Sequence, residues 1–232
     1  NAVKKLTYQM CIWLNGYGSI GQIPQLQELY LQQNQLTYLP ENIGQLASLQ
    51  YVGLNRNQLI SLPKSIGQLA QLQHLELQQN QLVSLPESIG QLTQLQNLDL
   101  KHNQLTHLPE SIGQLTQLKE LELRYNKLIA LPESVGQFTH LEELNLKSNA
   151  LTKLPNSICR LKRLKVLNLQ LNRLSDVPQE LYKVTALEVL NVQENQLKNL
   201  PEKLEQLVNL RELELSYNPL EVLPERLVTV KK

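Results

Sequence analysis

Carboxylates recur at a fixed interval along this chain: Glu76, Asp99 and Glu122 are spaced 23 residues apart. Glu120 and Glu143 keep the same interval, as do the cations Lys101, Arg124 and Lys147. On neighbouring strands of one sheet such residues would stand about 5 Å apart. That approaches the spacing of the carboxylate pair in a retaining glycosidase. Catalysis would also need a desolvating pocket or a lid, and the pattern supplies neither. Gly44, Gly67, Gly90, Gly113 and Gly136 keep the repeat interval instead of gathering into a phosphate loop. His74, His102, His107 and His140 have no metal-ligand spacing. No Ser or Cys stands at a fixed offset from a His. The expectation is a chain with no catalytic residue, metal or cofactor, whose charges either neutralise one another or meet a partner.

The elements that carry these residues follow from the same interval. Asn34, Asn57, Asn80, Asn103, Asn126, Asn149, Asn172, Asn195 and Asn218 are each 23 residues apart, without insertion or deletion. A period of this length marks a stacked repeat architecture. In the unit from Leu95, the apolar Leu98 and Leu100 alternate with Asn97, Asp99 and Lys101. This alternation is a short strand with one buried and one exposed face. Leu105, Leu108, Ile112 and Leu115 continue the apolar set at other spacings, so the chain turns back over the same core. One unit buries too few aliphatics to offset the ordering of its backbone, so it folds only against neighbours. The strands stack into a parallel sheet, and the wider return path curves the stack with the sheet inside.

The periodic Asn and Pro have separate tasks. After each strand the backbone turns inward and leaves buried N–H and C=O groups without ladder partners. An amide side chain offers two donors and an acceptor to such groups. Leucine there would leave them unpaired, at about 1–3 kcal/mol per group, and aspartate would lack the donors. Prolines from Pro40 to Pro224 follow each ladder Asn by six residues. Proline suits the first position of a helical turn, and Glu41, Glu87, Glu110, Glu133, Glu202 and Glu225 follow it directly. Acidic residues are favoured at a helix N-terminus. Segments such as Pro86 to Leu92 leave room for an α or 3₁₀ turn or two on the convex side.

The pattern LxxLxLxxNxLxxLPxxIGxL resembles the leucine-rich repeat family in its 23-residue form. That form is similar to bacterial repeats and to Ras-suppressor-like and Roco-type proteins. The resemblance covers residues 3–230. It implies a right-handed α/β horseshoe solenoid, with a parallel β-sheet on the concave face and short turns on the convex face. It also implies a role in protein binding.

The whole chain is expected to be one domain, with nine repeats over 24–230 and a two-residue tail. Residues 1–23 read as a degenerate N-terminal capping repeat. There Val3, Leu6, Tyr8, Cys11 and Trp13 take the Leu, Leu, Leu, Asn and Leu positions, which extends the ladder to Cys11. Cysteine is an accepted substitute for the ladder Asn in the family. At the other end Leu227 and Val230 fit the convex segment, and the next strand would start beyond Lys232. Leu213, Leu215 and Leu223 would then face outward, so a dimer through this end stands beside a monomer as an expectation.

Composition narrows the classes. Lys and Arg number 22 and Asp and Glu 21, a net charge of +1, which gives no bulk case for nucleic-acid or membrane binding. No apolar run approaches the roughly 18 residues of a membrane span, and no signal-like segment is present. Cys11 and Cys159 fall in units too far apart for a disulfide, and no Asn-x-Ser/Thr sequon occurs. These features favour an intracellular setting or a secreted bacterial one.

Strand alternation also names the exposed concave columns. The first runs Glu28, Tyr51, His74, Asn97, Glu120, Glu143, Val166, Val189, Glu212. The middle one runs Tyr30, Gly53, Glu76, Asp99, Glu122, Asn145, Asn168, Asn191, Glu214. The third includes Lys101, Arg124 and Lys147. Candidate partner contacts are the aromatic pair Tyr30 and Tyr51, the acidic cluster with its basic strip, and Val166 beside Val189 with Leu171 nearby. Tyrosine is a common interface anchor. Mutual neutralisation would make each exposed ion pair worth about 0–1 kcal/mol. The leading expectation is a non-catalytic module that grips a protein or peptide on its concave face. The alternatives are a regulatory segment of a larger GTPase- or kinase-linked signalling protein, and a bacterial surface or effector binding protein. Carbohydrate binding is disfavoured by the few exposed aromatics.

Overall fold

A computed structural model describes the backbone of residues 5–7 and residues 22–223. Ten short strands form one sheet in chain order: β1 (Lys5–Thr7), β2 (Glu28–Tyr30), β3 (Tyr51–Gly53), β4 (His74–Glu76), β5 (Asn97–Asp99), β6 (Glu120–Glu122), β7 (Glu143–Asn145), β8 (Val166–Asn168), β9 (Val189–Asn191) and β10 (Glu212–Glu214). Each neighbouring pair is parallel and in register by one repeat, so Leu98 stands between Leu75 and Leu121. From β2 to β9 the middle residue of each strand is buried; in β4 to β9 it is leucine at 1% exposure or less. Its two flanking residues face the concave surface. The expected α/β horseshoe with an inner parallel sheet is the observed architecture.

Backbone pairing runs beyond the three-residue strands. Leu54 N–H donates to Glu76 O at 2.8 Å and Arg56 N–H to Gln78 O at 2.9 Å. A second ladder crosses the descending limb, where Gln81 N–H donates to Leu59 O at 2.9 Å. At the corner between the two limbs one residue per repeat takes a left-handed backbone. Gln33, Arg56, Gln79, His102, Tyr125, Ser148, Leu171, Glu194 and Tyr217 all have φ between 54° and 57°. None is glycine, and such a conformation costs an L-residue roughly 1–2 kcal/mol.

The ladder asparagines close this corner. Asn103 Nδ2 donates to Leu100 O at 3.0 Å in its own repeat and to Leu77 O at 2.9 Å in the preceding one. Its Oδ1 accepts from Leu82 N–H at 3.0 Å. The same three contacts recur at Asn57, Asn80, Asn126, Asn149, Asn172, Asn195 and Asn218. Asn34 donates to Leu31 O at 2.9 Å. Each amide therefore sews its repeat to the one before. Cys11 lies outside the described residues, as do Tyr8, Trp13, Leu227, Val230 and Lys232.

On the convex side all eight turns among the described residues are 3₁₀: Glu41–Gln45, Lys64–Gln68, Glu87–Gln91, Glu110–Gln114, Glu133–Gln137, Asn156–Arg160, Gln179–Lys183 and Leu204–Gln206. In the first seven the proline stands one position earlier than expected, at the cap. Pro109 has φ −68° and ψ 151°, an extended conformation that its fixed ring angle also suits. Its carbonyl accepts the first bond of the turn, from Ile112 N–H at 3.1 Å. The acidic residue after proline reaches across to the next repeat. Glu41 Oε2 accepts from Ser65 N–H at 3.0 Å, and Glu87 and Glu133 accept from Ser111 and Ser157 N–H at 3.3 Å.

The convex glycines permit close stacking. A Cβ on Gly90 would lie 2.4 Å from Ser111 O, and one on Gly67 equally close to Ser88 O. After Gly136 this column continues as Cys159, Tyr182 and Glu205. Cys159 is buried, and burial pushes its thiol above the usual range.

Candidate functional site

The concave surface divides into three zones along the axis. In the first, Tyr30 and Tyr51 pack with ring centroids 4.7 Å apart, and His74 follows Tyr51 at 6.4 Å. Gly53 makes this possible. A Cβ there would stand 3.2 Å from Tyr51 Cε1 and 3.3 Å from its hydroxyl, so the ring leans over the glycine. The hydroxyl reaches Glu76, the register partner of Gly53. Burial, with this hydrogen bond to a carboxylate, raises the Tyr51 phenol well above its ordinary value. The Tyr30 hydroxyl donates to Glu28 Oε2 at 3.1 Å.

The second zone holds the acidic cluster and the basic strip. The middle-column carboxylates Glu76, Asp99 and Glu122 are direct register neighbours on β4, β5 and β6. Each of the last two pairs with the cation two residues on, just past the end of its strand: Lys101 Nζ to Asp99 Oδ2 at 2.9 Å, and Arg124 Nε to Glu122 Oε2 at 3.3 Å. Mutual neutralisation thus operates within single repeats, and it does not reach every group. Glu120 and Glu143, exposed and in register, have no ion pair among the described residues, and neither does Lys147. Like charges placed directly opposite on a sheet repel. Glu122 Oε1 accepts from Asn145 Nδ2 at 2.9 Å. Burial raises the Glu122 carboxyl above its ordinary value, against the pull of Asn145 and Arg124.

The surface is less flat here than strand alternation predicts. His74, Glu76, Asn97, Asp99, Glu120 and Glu122 rim a shallow depression of about 200 Å³ floored by Leu75 and Leu98. No cluster of His, Cys, Asp and Glu among the described residues could hold a metal. No helix among them is long and apolar enough to cross a membrane.

The third zone is apolar and amide-lined. Val166 and Val189 are register partners, half-exposed. Asn168 and Asn191 Oδ1 accept from Gln170 and Gln193 N–H at 3.1 and 3.0 Å. Leu171 joins this zone only from the left-handed corner, where it is 38% exposed.

Two columns escaped the sequence reading. The left-handed corner carries the stacked pair His102 and Tyr125, with centroids 4.3 Å apart and planes 11° from parallel. The column preceding the strands alternates in sign as Lys119, Glu142, Lys165, Glu188, Arg211. Lys165 Nζ contacts Glu142 Oε2 at 2.6 Å and Arg211 Nη1 contacts Glu188 Oε2 at 3.4 Å. The alternation is legible in the sequence at the 23-residue interval.

Comparison with known families accounts for almost the whole chain. A leucine-rich repeat region model matches residues 66–127 and 112–230, and a leucine rich repeat model matches 24–82. The chain belongs to the leucine-rich repeat family. Comparison with curated proteins gives no match. Among solved structures, a leucine-rich repeat protein of Leptospira interrogans is 41% identical with a TM-score of 0.87, over 97% of this chain and 58% of that one. The leucine-rich repeat domain of the type III effector XopL is 28% identical with a TM-score of 0.77, over 93% and 76%. A plant peptide hormone receptor, RGFR1, in complex with RGF2, is 27% identical with a TM-score of 0.68, over 91% and 38%. This leucine-rich repeat chain therefore spans little more than half of the Leptospira protein and a smaller share of the receptor.

Proposed function

We propose that this leucine-rich repeat chain is a non-catalytic binding module that holds a protein or peptide on its concave sheet. The observation that carries the reading is the contrast between columns. Core leucines and ladder asparagines repeat from unit to unit. The first concave column passes from Tyr51 through Glu120 and Glu143 to Val166 and Val189, the middle one from Tyr30 through carboxylates to amides, and the third from amides through cations back to amides, all on the same backbone. Nothing in the fold requires that variation, so it is available for recognition. The peptide complex of the related plant receptor supports the same reading.

Immobilised chain should retain a partner protein from cells that make it. Retention should vanish with the concave set Glu120→Lys, Glu143→Lys and Val189→Lys. It should survive the convex set Gln45→Lys, Gln91→Lys and Gln114→Lys, whose side chains are exposed. Loss with the convex set and survival with the concave set would overturn the assignment.

A further inference from the structure

We infer that the concave face takes an extended peptide segment whose basic side chain and aliphatic side chain lie four residues apart. This rests on the concave-binding reading above and specifies the partner's chemistry. Three independent observations meet. Glu120 and Glu143 stand in register, and neither has an ion pair among the described residues, so an external cation relieves their repulsion. The depression beside them is rimmed by Glu76, Glu120 and His74 and adjoins the Tyr51 ring, which Gly53 lets lie flat. An ammonium or guanidinium gains from carboxylates and from aromatic faces alike. The third observation is the apolar pair Val166 and Val189, in register on β8 and β9.

The spacing follows from sheet geometry. From β6, at the edge of the depression, to the midpoint of β8 and β9 is two and a half strand intervals, about 12 Å. An extended peptide rises about 3.4 Å per residue. That distance is therefore spanned by roughly three to four residues. Side chains of an extended segment share a face only at even separations, which selects i and i+4 over i+3. A free cation or a basic surface without the aliphatic residue satisfies only part of the site. The occupant is thus a peptide segment of a protein.

The test is a random nonamer phage library panned on the full chain, and in parallel on the Glu120→Gln/Glu143→Gln and Val189→Thr variants. The expected outcome is enrichment of Arg or Lys with an aliphatic residue four positions away. A synthetic peptide of the consensus should bind roughly tenfold more weakly to the first variant, and more weakly still when the aliphatic residue moves to i+3. Equal thermal unfolding of both variants and wild type separates lost contact from lost fold. Three results would overturn the inference: a consensus without a basic residue, a basic residue at no fixed distance from an aliphatic one, or equal affinity for the i+3 peptide. If such peptides still lose binding to the concave lysine set, the proposed concave function survives and only the occupant is wrong. If no enriched peptide responds to any concave substitution, both readings fail.

Discussion

Replacing Asn103 with Asp is the sharpest probe of how this array is held together. The carboxylate keeps one oxygen in place of Oδ1, where it still accepts from Leu82 N–H. Its other oxygen replaces Nδ2 and faces Leu77 O and Leu100 O, which the amide nitrogen reaches at 2.9 and 3.0 Å. Leu77 O and Leu100 O each lose one of two donors, since Asn80 and Asn126 still reach them; two hydrogen bonds at about 0.5–1.5 kcal/mol each put the loss at roughly 2 kcal/mol before any charge repulsion. For a chain of this size about 1 kcal/mol moves the melting temperature roughly 2–4 °C, so a fall of about 4–8 °C is expected at neutral pH. Protonation restores one donor. The folded state therefore binds the proton more tightly than the unfolded chain, and the aspartate's pKa is raised on folding. Stability linked to that proton is present below the unfolded value near 3.9 and lost as pH rises through the folded value. The deficit against wild type should thus shrink at pH 4 and be largest at pH 7.5, in paired calorimetric scans. Asn103→Leu, which cannot titrate, should show a deficit of similar size at both. A deficit in the aspartate variant that ignores pH, or grows in acid, would refute the assignment of donor and acceptor roles to this side chain.

Two other substitutions address features that a sequence pattern conveys less directly. Gly90→Ala forces a Cβ to within 2.4 Å of Ser111 O. Equilibrium urea unfolding should show a loss of about 1–3 kcal/mol, whereas Gln91→Ala on the same turn should change little. Leu171→Asn places a residue that tolerates the left-handed region at φ 57°. It should raise stability by about 0.5–1 kcal/mol in thermal scans, even though it removes an exposed aliphatic side chain.

The repeat, the inward strand residues and the partners of the ladder amide were legible because each depends on one residue type at one offset. Asn103 could be assigned its carbonyls and N–H from backbone geometry alone. The proline position was read one residue late, because a fixed φ near −65° serves a cap and a first helical residue equally. Glu41 and Glu87 were assigned to the ends of their own turns. They do stand in those first turns, and their carboxylates also serve Ser65 and Ser111, 24 residues on, a contact visible only once the stack is built. The left-handed corner left no trace, since Gln33, Arg56, Tyr125 and Leu171 share no chemistry. Their φ is imposed by the ladder on either side. Within the candidate site, the in-register carboxylates and valines were predictable from strand alternation. The lean of Tyr51 over Gly53, and the depression that follows His74 to Glu122, depend on packing between side chains of unequal size.

The glycine column makes the repeats unequal building stones of one arch. Along the inner sheet every repeat has the same thickness, because backbone hydrogen bonds set it. Along the outer rim the thickness is set by what stands between successive turns. That is a hydrogen atom at Gly44 through Gly136, then a thiol at Cys159 and a phenol at Tyr182. Thicker outer stones on equal inner ones bend an arch more sharply. Larger side chains in this column beyond Gly136 would therefore tighten the radius there and turn the Val166 and Val189 segment toward the charged segment ahead of it. Changing residues that never touch a ligand would then alter how widely the two segments stand apart.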